Sequence, residues 1–294
     1  MSNASEVEEI LDAMRNGDWD AAVPRARCLP ATALPEIAAR LDQSQDERER
    51  RLCYRLLEYV AVSTGSAAIG EYAARRVAIE TSDRLTVHAL QAVSWTGGVT
   101  HCQPIVAGLA SKNRDVQRWA IQALGACQGA VAEQALLATL REAPNAGIAY
   151  HAAQALARMC GPAVIPELEA VFTQLPRKKP YEATLEYLIF AFARYPTTSG
   201  TELVRAELDS TRLWGVGWAC LNYLFLAGDA TDEGRVTSYL QGVLQRLKRG
   251  TAVYEYSLLH IDAPFHTEAA AALAVLEKIG ADPAARFGPD LRSL

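Results

Sequence analysis

The stretch from Gln103 to Phe172 decides the fold of this chain. It reads QPIVAGLASKNRDVQRWAIQALGACQ, then GAVAEQALLATLREAPNAGIAYHAAQALARMC, then GPAVIPELEAVF. Gln122-Ala123-Leu124 returns as Gln154-Ala155-Leu156 after 32 positions. One unit earlier, Ala89-Leu90-Gln91-Ala92-Val93 aligns with residues 120–124 at a spacing of 31. A repeat of this length, with apolar residues at helical spacing, is typical of a helical solenoid, in which each unit packs only on its neighbours.

One repeat shows why the pattern predicts stacked helices. Apolar residues lie at i, i+4, i+7, i+8 and i+11 along one side of a helix, namely Val116, Ala120, Ala123, Leu124 and Cys127. The small alanines let neighbouring helices approach closely. Asp115 is expected to cap this helix through its carboxylate. Breakers such as Pro144-Asn145 and Gly161-Pro162 separate the helices.

These residues resemble HEAT-like repeats, specifically the phycobilisome-lyase type, whose second helix ends in Ala-Leu-Gly. Asp115-Val116, Ala120 and Ala123-Leu124-Gly125 match that consensus, whereas Gln117 stands where it has arginine, and the arginine follows as Arg118. The resemblance implies an all-α, right-handed solenoid of helix pairs. Its implications for function are broad, because such repeats serve as scaffolds, inhibitors and a few enzymes.

Outside this stretch the periodicity predicts more helices of the same kind. The regular repeats are expected over residues 83–172, within a single solenoid domain of residues 1–294 that ends in a C-terminal cap at 250–294. Beyond residue 172, helices are predicted at 181–195, 211–226, 232–248 and 267–279. Residues 250–264 lose the helical period, and Val253 to Tyr256 is a candidate extended segment.

Composition excludes several classes of function. The net charge of −5 argues against a general binder of nucleic acid or anionic membranes. The absence of an apolar run of 18 residues argues against a transmembrane helix, and the polar, acidic start argues against a signal peptide. The six cysteines show no Cys-x-x-Cys pair, and Cys127 and Cys160 occupy apolar helix positions. We therefore expect a cytoplasmic protein with reduced, mostly buried thiols.

No motif predicts a catalytic centre, a metal or a cofactor. His260 and His266 flank Asp262, but a metal site needs further donors at rigid spacing. The His-Glu dipeptides of the HEAT-like deoxyhypusine hydroxylases are missing, which argues against that activity by resemblance. Gly215-Val216-Gly217 lies inside a tryptophan-flanked helix and has too few glycines for a dinucleotide loop. Arg177-Lys178-Lys179 is interpreted as a solvated connector or, alternatively, a contact for an acidic partner.

One constellation of polar residues repeats with the helices. At the 31- and 32-residue offsets, glutamines, flat rings and an arginine fall into columns on the second helices. Equal positions in a solenoid lie side by side, and second helices commonly line the concave face, so these columns are candidates for a binding surface. The alternative is that the glutamines bridge neighbouring helices and the rings pack between them. The candidate residues are His88, Gln91, Arg118, Trp119, Gln122, Tyr150, His151 and Gln154.

The sequence favours a non-enzymatic scaffold or adaptor that binds a protein partner on its concave face. A bacterial immunity or regulatory role, with a basic partner, would suit the acidic charge. The alternative is an enzyme of the phycobilin-lyase type or the HEAT-like DNA glycosylase type. The latter needs a basic surface that the net charge does not favour.

Overall fold

The computed structural model describes residues 3–249 and 263–283, and it is helical throughout this part of the chain. The described residues form sixteen α-helices and no strand; their single β-type contact is an isolated bridge between Val99 and Cys127. The prediction of an all-α protein is confirmed. The chain divides into two compact units, unit 1 (Met1–Thr139) and unit 2 (Leu140–Leu294). The predicted extended segment at 253–256 lies outside the described residues.

Unit 1 contains four packed helix pairs and most of a ninth helix, which crosses the boundary at residue 139. The helices are α1 (Asn3–Arg15), α2 (Trp19–Cys28), α3 (Leu34–Gln43), α4 (Glu47–Thr64), α5 (Ala67–Val77), α6 (Asp83–Ser94), α7 (Gln103–Gly108), α8 (Arg114–Leu124) and α9 (Ala130–Arg141).

Unit 2 continues with helix pairs whose members are longer and more aromatic. Its helices are α10 (Ala146–Met159), α11 (Ile165–Gln174), α12 (Glu182–Arg194), α13 (Thr198–Ser210), α14 (Trp214–Ala227), α15 (Glu233–Lys248) and α16 (Glu268–Lys278). The sequence pattern does not predict α13. Its buried positions include Gly200 and Glu207 beside Val204 and Leu208, so its apolar stripe is interrupted.

The second helices of the pairs form the spine of each unit. In unit 1, α4 packs on α6 and α6 on α8; in unit 2, α10 packs on α12, α12 on α14 and α14 on α16. Small buried residues permit this close stacking: Ala123 is 0 % exposed and Ala155 is 2 % exposed. Both alanines are thus buried on helices that pack against their neighbours.

Local sequence explains where the helices begin and end. The Asn113 side chain caps α8 by accepting hydrogen bonds from the amides of Asp115 (2.9 Å) and Val116 (3.4 Å). Asp115 was expected to be that cap, but it lies inside the first turn, because the Asn113 side chain already occupies the capping position. Asn145 caps α10 in the same manner. Gly65 ends α4 with a left-handed backbone (φ 60°), which glycine adopts without strain.

Charged side chains connect one repeat to the next within each unit. In unit 1 the Glu80 carboxylate, whose side chain is 0 % exposed, accepts hydrogen bonds from Arg50 and Arg76. In unit 2 the buried Asp232 carboxylate accepts from Arg205 at 2.9 Å and from Arg235 at 2.5 Å. Buried carboxylates of this kind require such partners, since an unpaired buried charge is strongly destabilising.

Candidate functional site

The eight candidate residues lie on three second helices. His88 and Gln91 are on α6, and Arg118, Trp119 and Gln122 are on α8, all within unit 1. The other three, Tyr150, His151 and Gln154, are on α10 in unit 2. Arg118 is exposed, and the other seven are half-buried.

On unit 1, flat groups and hydrogen-bonding groups alternate across α6 and α8, which pack side by side. The His88 Nδ1 atom lies 2.9 Å from Gln91 Oε1, one turn along α6. The Arg118 guanidinium lies over the Trp119 ring at 5.5 Å from its centroid. It also forms an ion pair with Asp115 at 3.1 Å, while keeping 45 % of its side-chain surface exposed. Thus α6 carries an imidazole beside an amide, and α8 carries a guanidinium beside an indole.

Arginines on α4 and α6 act on the charge of the His88 ring. The pKa of His88 falls to about 4, first because burial disfavours the charged ring and next because the cationic Arg55 is near; Arg51 and Arg84 act in the same direction, against the Gln91 hydrogen bond. His88 is therefore neutral at physiological pH, in a positively charged environment. We refer to these residues as the second-helix face of unit 1: Arg51, Arg55, Arg84, His88, Gln91, Arg118, Trp119 and Gln122.

On unit 2, one glutamine bridges two helices. The Gln154 Nε2 atom on α10 donates to the Tyr187 hydroxyl on α12 at 2.9 Å. Tyr150 packs edge-on against Tyr187, with ring centroids 5.5 Å apart, and its ring also meets that of His151 at 4.9 Å. Burial raises the pKa of Tyr187, so its hydroxyl stays neutral. At Gln154 the structure thus shows the helix-bridging arrangement that the sequence left as an alternative.

The Arg177-Lys178-Lys179 segment is tied down by contacts within unit 2. The Arg177 Nε atom donates to the buried carboxylate of Glu207 at 2.9 Å, and its Nη1 donates to the carbonyl oxygens of Phe172 and Leu175 at 2.6 Å. Lys179 pairs with Glu182. Arg177 is therefore a structural residue, and the loop offers less free charge than its sequence suggests.

The described residues contain neither a cluster of metal ligands nor a membrane-spanning helix. Among residues 3–249 and 263–283, no three His, Cys, Asp or Glu side chains converge as in a metal site. His260 and Asp262 lie outside that part of the chain, and His266 within it is exposed. No helix in the described ranges has the length and hydrophobicity to cross a membrane.

The repeats match a known family. Residues 102–179 match the model of HEAT repeats. This part of the chain consists of HEAT-like repeats. The matched range contains Arg118, Trp119, Gln122, Tyr150, His151 and Gln154, so most of the candidate residues lie within HEAT repeats.

Similarity to individual proteins is more distant. Among solved structures, the crystal structure of an engineered protein, a target of the Northeast Structural Genomics Consortium, is similar to this chain. The two are 17 % identical with a TM-score of 0.49, and the match covers 99 % of this chain and 82 % of that one. No curated protein matches the chain.

Sequence reasoning missed the arginines on the earlier HEAT-like helices. Arg51 ends a dense run of charged residues and lies within α4, four residues before Arg55. Residues four apart lie on the same side of a helix, and Arg84 and His88 on α6 have the same spacing. At the 31-residue offset Leu57 and Val60 fall in the columns of His88 and Gln91, so the column argument does not find these arginines.

Proposed function

We propose that this HEAT-like repeat protein is a non-enzymatic scaffold that binds a protein partner on the second-helix face of unit 1. The observation that carries the proposal is the exposed Arg118 guanidinium stacked over the half-buried Trp119 ring. Arginine and tryptophan are the residue types that most often dominate binding energy at protein interfaces.

The neighbouring groups support the same function. His88 and Gln91 supply hydrogen-bonding groups beside that pair, and His88 is held neutral by burial and by nearby arginines. A neutral imidazole can both donate and accept. The face thus combines flat apolar area with polar atoms, as the centre of a protein interface does.

An adaptor or a bacterial immunity protein is the finer form of this proposal. The net charge of −5 supports it, because negative charge attracts a basic partner at long range. The face itself differs from this average, because its charged residues are arginines.

Site-specific photocrosslinking tests the proposal. A photoreactive phenylalanine analogue replaces Arg114, an exposed residue one turn before Arg118 on α8, in the full chain expressed in its own cells, so that Arg118 itself stays in place. A second variant carries the analogue at Arg75 on α5, an exposed position on a first helix. We expect a discrete protein adduct from position 114 and none from position 75. With the captured partner purified, Arg118→Ala should weaken binding at least tenfold without a change in Tm, as truncation of a central interface arginine does. Adducts of equal yield at both positions would contradict the proposal.

A further inference from the structure

Two groups of arginines in unit 1 differ in their partners. Arg15, Arg50 and Arg76 are engaged with carboxylates that are themselves buried or nearly so, such as Glu80 and Glu49. These arginines hold repeats together. The second group, Arg51, Arg55, Arg84 and Arg118, lies on the second-helix face.

The face arginines are weakly engaged. Within the described part of the chain, Arg51 and Arg84 form no ion pair. Arg55 pairs only with Glu58, three residues along its own helix at 3.1 Å, and keeps 43 % of its side-chain surface exposed. Arg118 pairs only with Asp115 on its own helix. Exposed pairs of this kind contribute little to stability, so an incoming carboxylate can replace them.

The arginines are arranged across three neighbouring helices. Arg51 and Arg55 lie one turn apart on α4, Arg84 lies one turn before His88 on α6, and Arg118 lies on α8. Arg55, Arg51 and Arg84 all act on the charge of His88, and α4 packs on α6 and α6 on α8. From this placement we infer that the cationic groups form a band across the helix axes. The Trp119 ring beneath Arg118 adds a flat apolar surface to one end of this band.

We propose that the second-helix face of unit 1 binds an acidic segment of a protein, an extended stretch of Asp and Glu residues with an apolar side chain that contacts Trp119. Planar guanidinium groups match carboxylates in a two-bond geometry, which favours this occupant. The inference rests on the proposed scaffold function and specifies its partner. The net charge of −5 favours a basic partner at long range. A segment in contact with this face meets the local positive charge of its arginines instead.

A protein segment fits this face better than a nucleic acid. A nucleic acid carries one charge per phosphate, and its long, uniform charge meets the acid excess of the whole chain. Glu58 and Asp115 are interspersed among the arginines and would repel a continuous row of phosphates. A peptide can place its carboxylates at the arginines and neutral residues between them.

Helix spacing sets the length of the segment. Packed helices lie about 8–10 Å apart, so α4 to α8 spans about 20 Å. An extended chain covers about 3.3 Å per residue, so about six residues cross the band. A probe of about eight residues therefore reaches from Arg51 to Trp119.

The probe is a fluorescein-labelled peptide of eight residues, Glu-Gly-Glu-Glu-Gly-Glu-Leu-Glu, titrated with the full chain by fluorescence anisotropy. Two further probes have the same length: the peptide with every Glu replaced by Gln, and oligothymidylate. Two triple variants are compared with the wild type. The face variant is Arg51→Gln, Arg84→Gln and Arg118→Gln; the control variant is Arg27→Gln, Arg75→Gln and Arg212→Gln. All three control positions are exposed, and the two variants carry the same net charge.

We expect the Glu peptide to bind the wild type and the control variant with the same Kd to within about a factor of two, and the face variant at least tenfold more weakly. Binding should weaken as ionic strength rises from about 0.05 M to about 0.5 M, because salt screens exposed charges. The Gln peptide should not bind measurably. Equal loss in both triple variants, tighter binding of oligothymidylate, or no binding of the Glu peptide would each overturn the inference. A crosslinked protein partner from position 114 would still support the scaffold function if the Glu peptide fails.

Discussion

Glu186 lies on α12 with 5 % of its surface exposed and makes no hydrogen bond within the described part of the chain. Its carboxyl group lies against the backbone of α14, where a Cβ atom at Gly215 would come within 1.8 Å of Oε1. Burial, and next the neighbouring Glu182 carboxylate, raises the pKa of Glu186 to about 7 against the opposing charge of Lys179. The folded protein therefore favours the protonated acid.

This shift predicts how stability depends on pH. The folded-state pKa lies above the unfolded value, so the native state binds the proton more tightly between pH of about 4.5 and about 7. Stability from this group is present below that window and is lost as pH rises through it. Glu186→Gln should remove the loss and stabilise the protein by about 1–3 kcal/mol at pH of about 8, with little change at about 4.5. Denaturant unfolding at both pH values measures the difference.

The matched control is Glu277→Gln, which replaces an exposed carboxylate on α16. It should leave the free energy of unfolding within about 0.5 kcal/mol of wild type at both pH values. If Glu186→Gln has the same small effect, the carboxyl group of Glu186 is solvated in the folded protein and the structural account of it is wrong.

The cysteines give a second prediction for single residues. Cys28 is exposed, whereas Cys53, Cys102, Cys127, Cys160 and Cys220 are buried. Burial raises the pKa of the Cys53 and Cys127 thiols to about 12, so they are neither accessible nor ionised near neutral pH. Reaction with an aromatic disulfide reagent should give one fast thiol in the native protein, and Cys28→Ser should abolish it. A fast phase that survives in Cys28→Ser would show that a buried thiol is accessible.

Within helix α14, two glycines leave room for side chains that belong to other helices. Gly215 accommodates Glu186 of α12, and a Cβ atom at Gly217 would come within 1.9 Å of the Tyr239 hydroxyl on α15. That hydroxyl donates to the buried Glu268 carboxylate at 2.5 Å. The glycines of the Gly215-Val216-Gly217 motif thus serve close packing between helices.

Gly217→Ala should therefore destabilise the protein. The Tyr239 ring is packed and cannot move away without losing its bond to Glu268, so we expect a loss of about 1–3 kcal/mol, as for other overpacked sites. Gly234→Ala in α15 is the control, because a Cβ atom there meets no atom within 4 Å. It should be neutral or stabilise by up to about 1 kcal/mol, since alanine favours a helix more than glycine does. Equal Tm shifts from the two variants would refute the packing assignment.

The contact between stacked second helices can be tested at Ala123 of α8. It is 0 % exposed, so Ala123→Leu should overpack the contact and cost about 1–3 kcal/mol. Ala138 is exposed on α9, and Ala138→Leu should change the free energy of unfolding by less than about 0.5 kcal/mol. Thermal unfolding of both variants measures this difference. An unchanged Tm in Ala123→Leu would show that the buried side of α8 is misassigned.

Across the whole molecule, the helix pairs of each unit contact mainly their sequence neighbours. Stability in such a chain is close to a sum of repeat and nearest-neighbour terms. Leu276→Ala on α16, at a site 1 % exposed, should cost about 2–5 kcal/mol locally. Hydrogen exchange should then speed up in α14 to α16 and stay unchanged in α4 and α6. Leu57→Ala on α4 is the reciprocal variant, and acceleration of the whole chain by either one would indicate a single cooperative unit.

The sequence by itself determined the class of fold and the buried sides of the helices. The stripe through Val116, Ala120, Ala123 and Leu124 is a local pattern with a helical period, and burial follows from it directly. The polar partners were decided only by the tertiary structure. Asn113 rather than Asp115 caps α8, and Gln154 donates to Tyr187 on the next second helix. The arginine band on α4, α6 and α8 combines residues up to 67 positions apart, from Arg51 to Arg118. Such pairings depend on how neighbouring helices pack and on side-chain rotamers, which a repeat period does not encode.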